Sequence, residues 1–134
     1  MAHAERRWQP VTLGADQPPP AGAYSPAVRA GDFVFVSGQV PRDPRTGRIG
    51  DRDFAAQTRQ TLDNLRTVLE AAGASLDDVT AVTVYLAAIG DWDAFNAIYR
   101  ETFRPPYPSR TVVGAQLRGF LVEVSAIAHF GDRG

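Results

Sequence analysis

Two β-branched runs near the end of the chain each carry one charge, and they limit the possible folds more than any other feature. Arg110 lies within Pro108-Ser109-Arg110-Thr111-Val112-Val113-Gly114, and Glu123 within Phe120-Leu121-Val122-Glu123-Val124-Ser125-Ala126-Ile127. Both segments read as strands, where acidic residues are depleted and a charge among apolar neighbours must be exposed or paired. Such strands either wet one face of a sheet or build a site. Leu117 and Phe120 flank Arg118-Gly119, where glycine at the second position suits a hairpin turn. Closing that hairpin would set Gly114 opposite Glu123 and Arg110 opposite Ile127. Side chains alternate with period two, so Arg110, Val112 and Gly114 would share a face with Glu123, with Arg110 and Gly114 about 13 Å apart along the strand. The gap would suit a small molecule. A surface cross-strand ion pair fits the same spacing, and a bulge would change the register.

The rest of the chain supplies a matching set of elements. Trp8–Leu13 can form a first strand, and Gln17-Pro18-Pro19-Pro20 excludes a helix or central strand. Ala27–Ala30 and Phe33–Ser37 read as two strands about a tight turn at Gly31-Asp32, before a polar loop over Pro41–Gly50. Phe54, Thr58, Thr61, Leu62, Leu65, Leu69 and Ala72 recur at helical spacing, with Asp53 placed to cap and Gly73 to stop. Asp77–Ala88 alternates as a strand. A second helix runs to Phe103, with Asp91 as cap, Trp92, Phe95, Tyr99 and Phe103 as a core stripe, and Pro105, Pro106 and Pro108 as its end. The order β-β-β-α-β-α-β-β predicts a single α+β domain, with one sheet and two helices on one face. One sheet face then lacks a cover from within the chain, and association between copies would supply it.

Composition narrows the chemistry. All 14 basic residues are arginine and there is no cysteine, which removes lysine Schiff-base and thiolate mechanisms. The histidines are His3, in a fraying terminus, and His129, at the end of the last strand, so neither a His-based triad nor a multi-His metal site is expected. A net charge of -1 gives nucleic-acid binding no electrostatic support. No apolar run is long enough to span a membrane, the start lacks a signal-peptide core, and the absence of cysteine makes the cytoplasm the expected location. Carboxylate, arginine, hydroxyl and backbone chemistry remain, suited to binding a small anion and to acid–base work on water.

Several segments together carry a resemblance: Gly22-Ala23-Tyr24-Ser25-Pro26-Ala27-Val28, Phe35-Val36-Ser37-Gly38-Gln39-Val40-Pro41, Gln57–Leu65, Pro108-Ser109-Arg110 and Val122–Ala128. In this order the chain resembles the RidA/YjgF family of reactive-intermediate enamine/imine deaminases, also labelled endoribonuclease L-PSP. The match runs from about Gly22 to Ala128, giving a core of residues 22–130 behind an extended N-terminal segment, 1–21. The resemblance implies a chorismate-mutase-like fold with a mixed sheet, a homotrimer with sites between subunits, hydrolysis of 2-imino acids such as 2-iminopropanoate or 2-iminobutanoate to 2-oxo acids and ammonia, and no metal or organic cofactor. It implies that Arg110 clamps the substrate carboxylate and Glu123 orients the attacking water. Tyr24, Ser37, Gly38 and Asn96 would line the same pocket, with Val112 standing where members often carry Cys or Thr. Other readings remain beside it: a non-catalytic binder of small carboxylates, a pathway-specific member acting on a larger substrate, and the ribonuclease of the older label.

Overall fold

The computed structural model describes residues 5–50 and 52–131, and the expected fraying terminus around His3 lies outside them. Six strands form one sheet: β1 (Gln9–Val11), β2 (Ala27–Ala30), β3 (Phe33–Gln39), β4 (Val79–Leu86), β5 (Ser109–Gly114) and β6 (Val122–His129). Two helices, α1 (Phe54–Ala71) and α2 (Trp92–Thr102), complete the expected β-β-β-α-β-α-β-β order. The Asp53 carboxylate accepts from the Ala56 amide at 3.0 Å, satisfying one of the free N–H groups at the start of α1. Gly73, at φ +84°, turns the chain out of that helix. Asp91 makes no corresponding side-chain bond, because a 3-10 turn over Ile89–Asp91 leads directly into α2.

The strand order is β1-β2-β3-β6-β4-β5, and it corrects the hairpin expectation. β5 and β6 do not pair. The short α2 crossover returns β5 parallel to β4, and β6 enters on the opposite edge of β4, antiparallel to both β4 and β3. Residues 115–121 pass over the end of β4, held by Ala115 N–H to Leu86 O at 2.9 Å and Ala87 N–H to Leu121 O at 3.0 Å. Gly119 does turn the chain, at φ +88°, but as part of this longer connection.

Register then assigns the faces. Arg110 and Val112 lie level with Val82 and Val84 of β4, and those with Ala126 and Val124 of β6. This face lies under the helices, where Val34, Val82, Val84, Leu86, Val122 and Val124 pack against Leu62, Leu65, Leu69 and Phe95. Each such side chain contributes roughly 1.5–3 kcal/mol through burial. The other face carries Glu123 beside Tyr85, Ser125 beside Thr83 and Ile127 beside Phe35. Arg110 and Val112 therefore do not share a face with Glu123. Phe33 and Phe35 stand 42% and 44% exposed on the uncovered face, so the expectation of an open, partly apolar sheet surface holds, with different occupants. The stripe on α2 also differs at one end. Phe95, Tyr99 and Phe103 are buried, whereas Trp92, the first residue of α2, is 40% exposed.

β3 loses regular pairing with β6 between Val36 and Gln39. The irregularity is tied down by Ser37, whose Oγ donates to Ser25 O at 2.6 Å and whose amide donates to Pro26 O at 3.0 Å. Past it, Asn64 on α1 donates from Nδ2 to Val40 O and Arg42 O, both at 2.9 Å. One amide thus fastens the exit of β3 to the helix layer. Asn64→Ala should cost about 1–3 kcal/mol, since two carbonyls lose their donor. Denaturant unfolding measures that loss, and amide exchange should accelerate over residues 40–49 before elsewhere.

Candidate functional site

Arg110 projects from edge strand β5 towards α2, where Trp92, Asn96 and Tyr99 recur at helical spacing. Its guanidinium carbon lies 4.5 Å from the Tyr99 ring centroid, 5.3 Å from that of Trp92 and 5.9 Å from that of Phe95. Its Nη2 donates to Asn96 Oδ1 at 2.9 Å. Among the described residues no carboxylate forms an ion pair with it. Aromatic faces thus stabilise the cation without neutralising it, and donors along the guanidinium edges remain for an anion. A cavity of about 370 Å³ opens here, lined by Asn96, Tyr99, Arg100, Tyr107, Pro108 and Arg110. Val112, two residues on, packs against the core.

Glu123 occupies the other face. Its carboxylate lies directly against Gly38 at the irregularity in β3, where a Cβ would overlap Oε2 and stand 2.9 Å from Cδ. Glycine is required there to make room for the acid. Burial pushes the Glu123 carboxyl above its usual value of 4.5, with no offsetting cation among the described residues. Ser37 spends its hydroxyl on Ser25 O, so its role here is to hold the irregular backbone. Tyr24 is 51% exposed, and its hydroxyl accepts a long bond from the Ala21 amide at 3.4 Å. Tyr24 and Gly38 both line a second, smaller cavity between the proline-rich segment and α1.

The predicted residues therefore fall into two groups. Arg110, Asn96 and Val112 lie on the helix side, and Glu123 with Ser37, Gly38 and Tyr24 at the far side and end of β3. Glu123 is level with Val113, three residues beyond Arg110 and two strands away. Strand geometry puts the two α-carbons about 14 Å apart, with side chains on opposite faces. The aromatic cradle of Arg110 was not anticipated as a site feature. Its signal was present in the sequence, as Trp92, Asn96 and Tyr99 on one side of a predicted helix, but the aromatics read as core.

Among the described residues no cluster of three or more His, Asp or Glu side chains could hold a metal, and no helix is long and apolar enough to cross a membrane.

A family model described as endoribonuclease L-PSP matches residues 14–130. The chain is 46% identical over 121 residues to a RutC family protein of Pyrococcus horikoshii, covering 89% of this chain and 96% of that one. It is 35% identical over 112 residues to a 2-iminobutanoate/2-iminopropanoate deaminase of Dermatophagoides farinae, covering 82% and 88% of the two chains. The crystal structure of RidA from an Antarctic Psychrobacter species superposes with a TM-score of 0.82 at 35% identity, covering 89% of this chain and 98% of that one.

The electrostatics of Glu123 lead to a stability test. Its folded pKa is raised, so the native state holds this proton more tightly than the unfolded chain. Stability from this group is therefore greatest at low pH and falls as pH rises from the unfolded value through the folded one. Glu123→Gln removes that loss. Measured on the single subunit, the variant should melt at a higher temperature than the parent near neutral pH, and the difference should vanish below about pH 4, where the parent acid is also protonated.

Proposed function

The chain belongs to the RidA/YjgF family, the endoribonuclease L-PSP group, and from that premise we propose that it is an enamine/imine deaminase hydrolysing 2-imino acids to 2-oxo acids and ammonia. The observation that carries this reading is the pairing of chemistries among the described residues: an arginine in no ion pair with a carboxylate, and an acid whose burial no cation offsets. One is suited to a substrate carboxylate and the other to a water proton. In a single copy they point to opposite faces, so the proposed site is completed between copies, with Arg110 of one subunit meeting Glu123 of its neighbour. Phe33, Phe35, Tyr85 and Ile127 on the uncovered face are the proposed packing surface, and by resemblance the number of copies is three.

In this scheme the edges of the Arg110 guanidinium hold the carboxylate of 2-iminopropanoate or 2-iminobutanoate in a two-pronged bond. Asn96 fixes the arginine, and Tyr24 and the backbone at Ser37-Gly38 border the other side. Glu123 accepts a proton from water while the water oxygen bonds to the imine carbon, and the C=N electron pair moves to nitrogen, which receives that proton from Glu123. The restored carboxylate then takes the hydroxyl proton of the resulting carbinolamine as its C–N bond breaks. The carbonyl forms, nitrogen leaves as ammonia with this second proton from Glu123, and the carboxylate is restored. Water is the sole co-reactant. Burial raises the Glu123 pKa in the single subunit and the neighbour's Arg110 opposes that rise in the shared site, so the carboxylate form is available to take the water proton. Positioning and electrostatics suffice, because imines already hydrolyse in water.

The direct test uses imines generated in place by an amino-acid oxidase. Arg110→Ala should lower turnover about 100-fold or more while circular dichroism and assembly stay unchanged. Undiminished turnover in that variant would falsify the assignment. Gly38→Ala supplies a second check: the added methyl displaces Glu123, so turnover should fall by about 100-fold with little change in substrate affinity. Assembly is tested by Phe35→Asp, which should yield a folded monomer without activity; a monomer that is fully active refutes the shared site.

A further inference from the structure

Tyr99 is 3% exposed, and its hydroxyl is one of three buried side-chain oxygens that have no hydrogen-bond partner among the described residues. The other two belong to Thr58 and Thr61, on the buried face of α1. Tyr99 alone of the three lines the Arg110 cavity, together with Asn96, Tyr107 and Pro108. The ring is already occupied: one contact is the Arg110 guanidinium at 4.5 Å, and another is Phe103, stacked at 4.4 Å. The oxygen is left over. A phenol closed off from water without a partner carries its full desolvation penalty, and packing gives no reason for it, since phenylalanine would make the same ring contacts.

We propose that the Tyr99 hydroxyl is a second donor to the anion held by Arg110, closing a three-sided carboxylate site with the arginine and Asn96. The proposal rests on the reading of Arg110 as the carboxylate clamp and adds a residue to it. The chemistry is consistent on each side. The guanidinium is held by its face, so its donors lie along its edges, where a carboxylate binds in plane. Burial pushes the Tyr99 phenol up to about 12, although nearby Arg110 opposes that rise. The group therefore stays protonated at any working pH and donates a hydrogen bond without competing as an anion. Tyr107 borders the same cavity and is 46% exposed, so the cavity is open to solvent on that side.

The experiment is titration calorimetry with 2-oxobutanoate on the assembled protein, alongside melting curves, for the parent, Tyr99→Phe and Arg110→Ala. If the hydroxyl serves the ligand, Tyr99→Phe binds about tenfold more weakly, and it melts at the same or a higher temperature because an unsatisfied buried oxygen is gone. A purely structural role moves these readouts differently. Parent-like affinity in Tyr99→Phe, with binding abolished in Arg110→Ala, overturns the role of Tyr99 and leaves the clamp standing. A lower melting temperature or a failure to fold in Tyr99→Phe, whatever the affinity, means the hydroxyl has a partner within the fold and overturns it too. Parent-like affinity in Arg110→Ala overturns the clamp itself, and with it the premise.

Discussion

The position of β6, bonded on one edge to β3 and on the other to β4, is the constraint on which the rest of the structure depends. It joins the N-terminal strands to the βαβ unit made by β4, α2 and β5. Its alternate residues Val122, Val124, Ala126 and Ala128 are all buried beneath the helices. A central strand with one face so strictly apolar cannot slip by one residue without turning that whole set to the open side. Glu123 is consequently held on the face away from α1 and α2. β5, displaced to the sheet edge, carries Arg110 to the helix side instead.

The two charges are left unsatisfied in complementary ways. Arg110 has aromatic faces and one amide oxygen, which favour the cation without neutralising it. Glu123 has a desolvated pocket made possible by the missing side chain at Gly38, which disfavours the anion. The second of these arrangements is a cost to stability when the acid is ionised. Together they make each charge receptive to an opposite partner brought from outside the subunit, whether ligand or neighbouring copy. The open sheet face supports the same picture, since Phe33 and Phe35 expose apolar area that a neighbour can cover.

The family-level reading and the element order were legible before any coordinates. So were the capping role of Asp53, the stop at Gly73 and the turn at Gly31, because each rests on local chemistry within a few residues. The pairing of β5 with β6 was misjudged. Arg118-Gly119 looks like a hairpin turn, and local turn chemistry cannot reveal that β4, some thirty residues earlier, occupies the intervening edge. From that error followed the placement of Arg110 and Glu123 on one face. Trp92 was assigned to the core because helical spacing identifies a stripe but not how much of it other elements cover.

The sequence by itself determined which residues alternate, where helices start and stop, and that lysine and cysteine chemistry is absent. Those properties depend on neighbours along the chain. Only the tertiary structure decided which strand lies beside which, and therefore that Arg110 rests on an aromatic cradle while Glu123 faces away from it against Gly38. Strand order is set by non-local hydrogen bonding and by how a common apolar face is buried, and no short stretch of sequence encodes either.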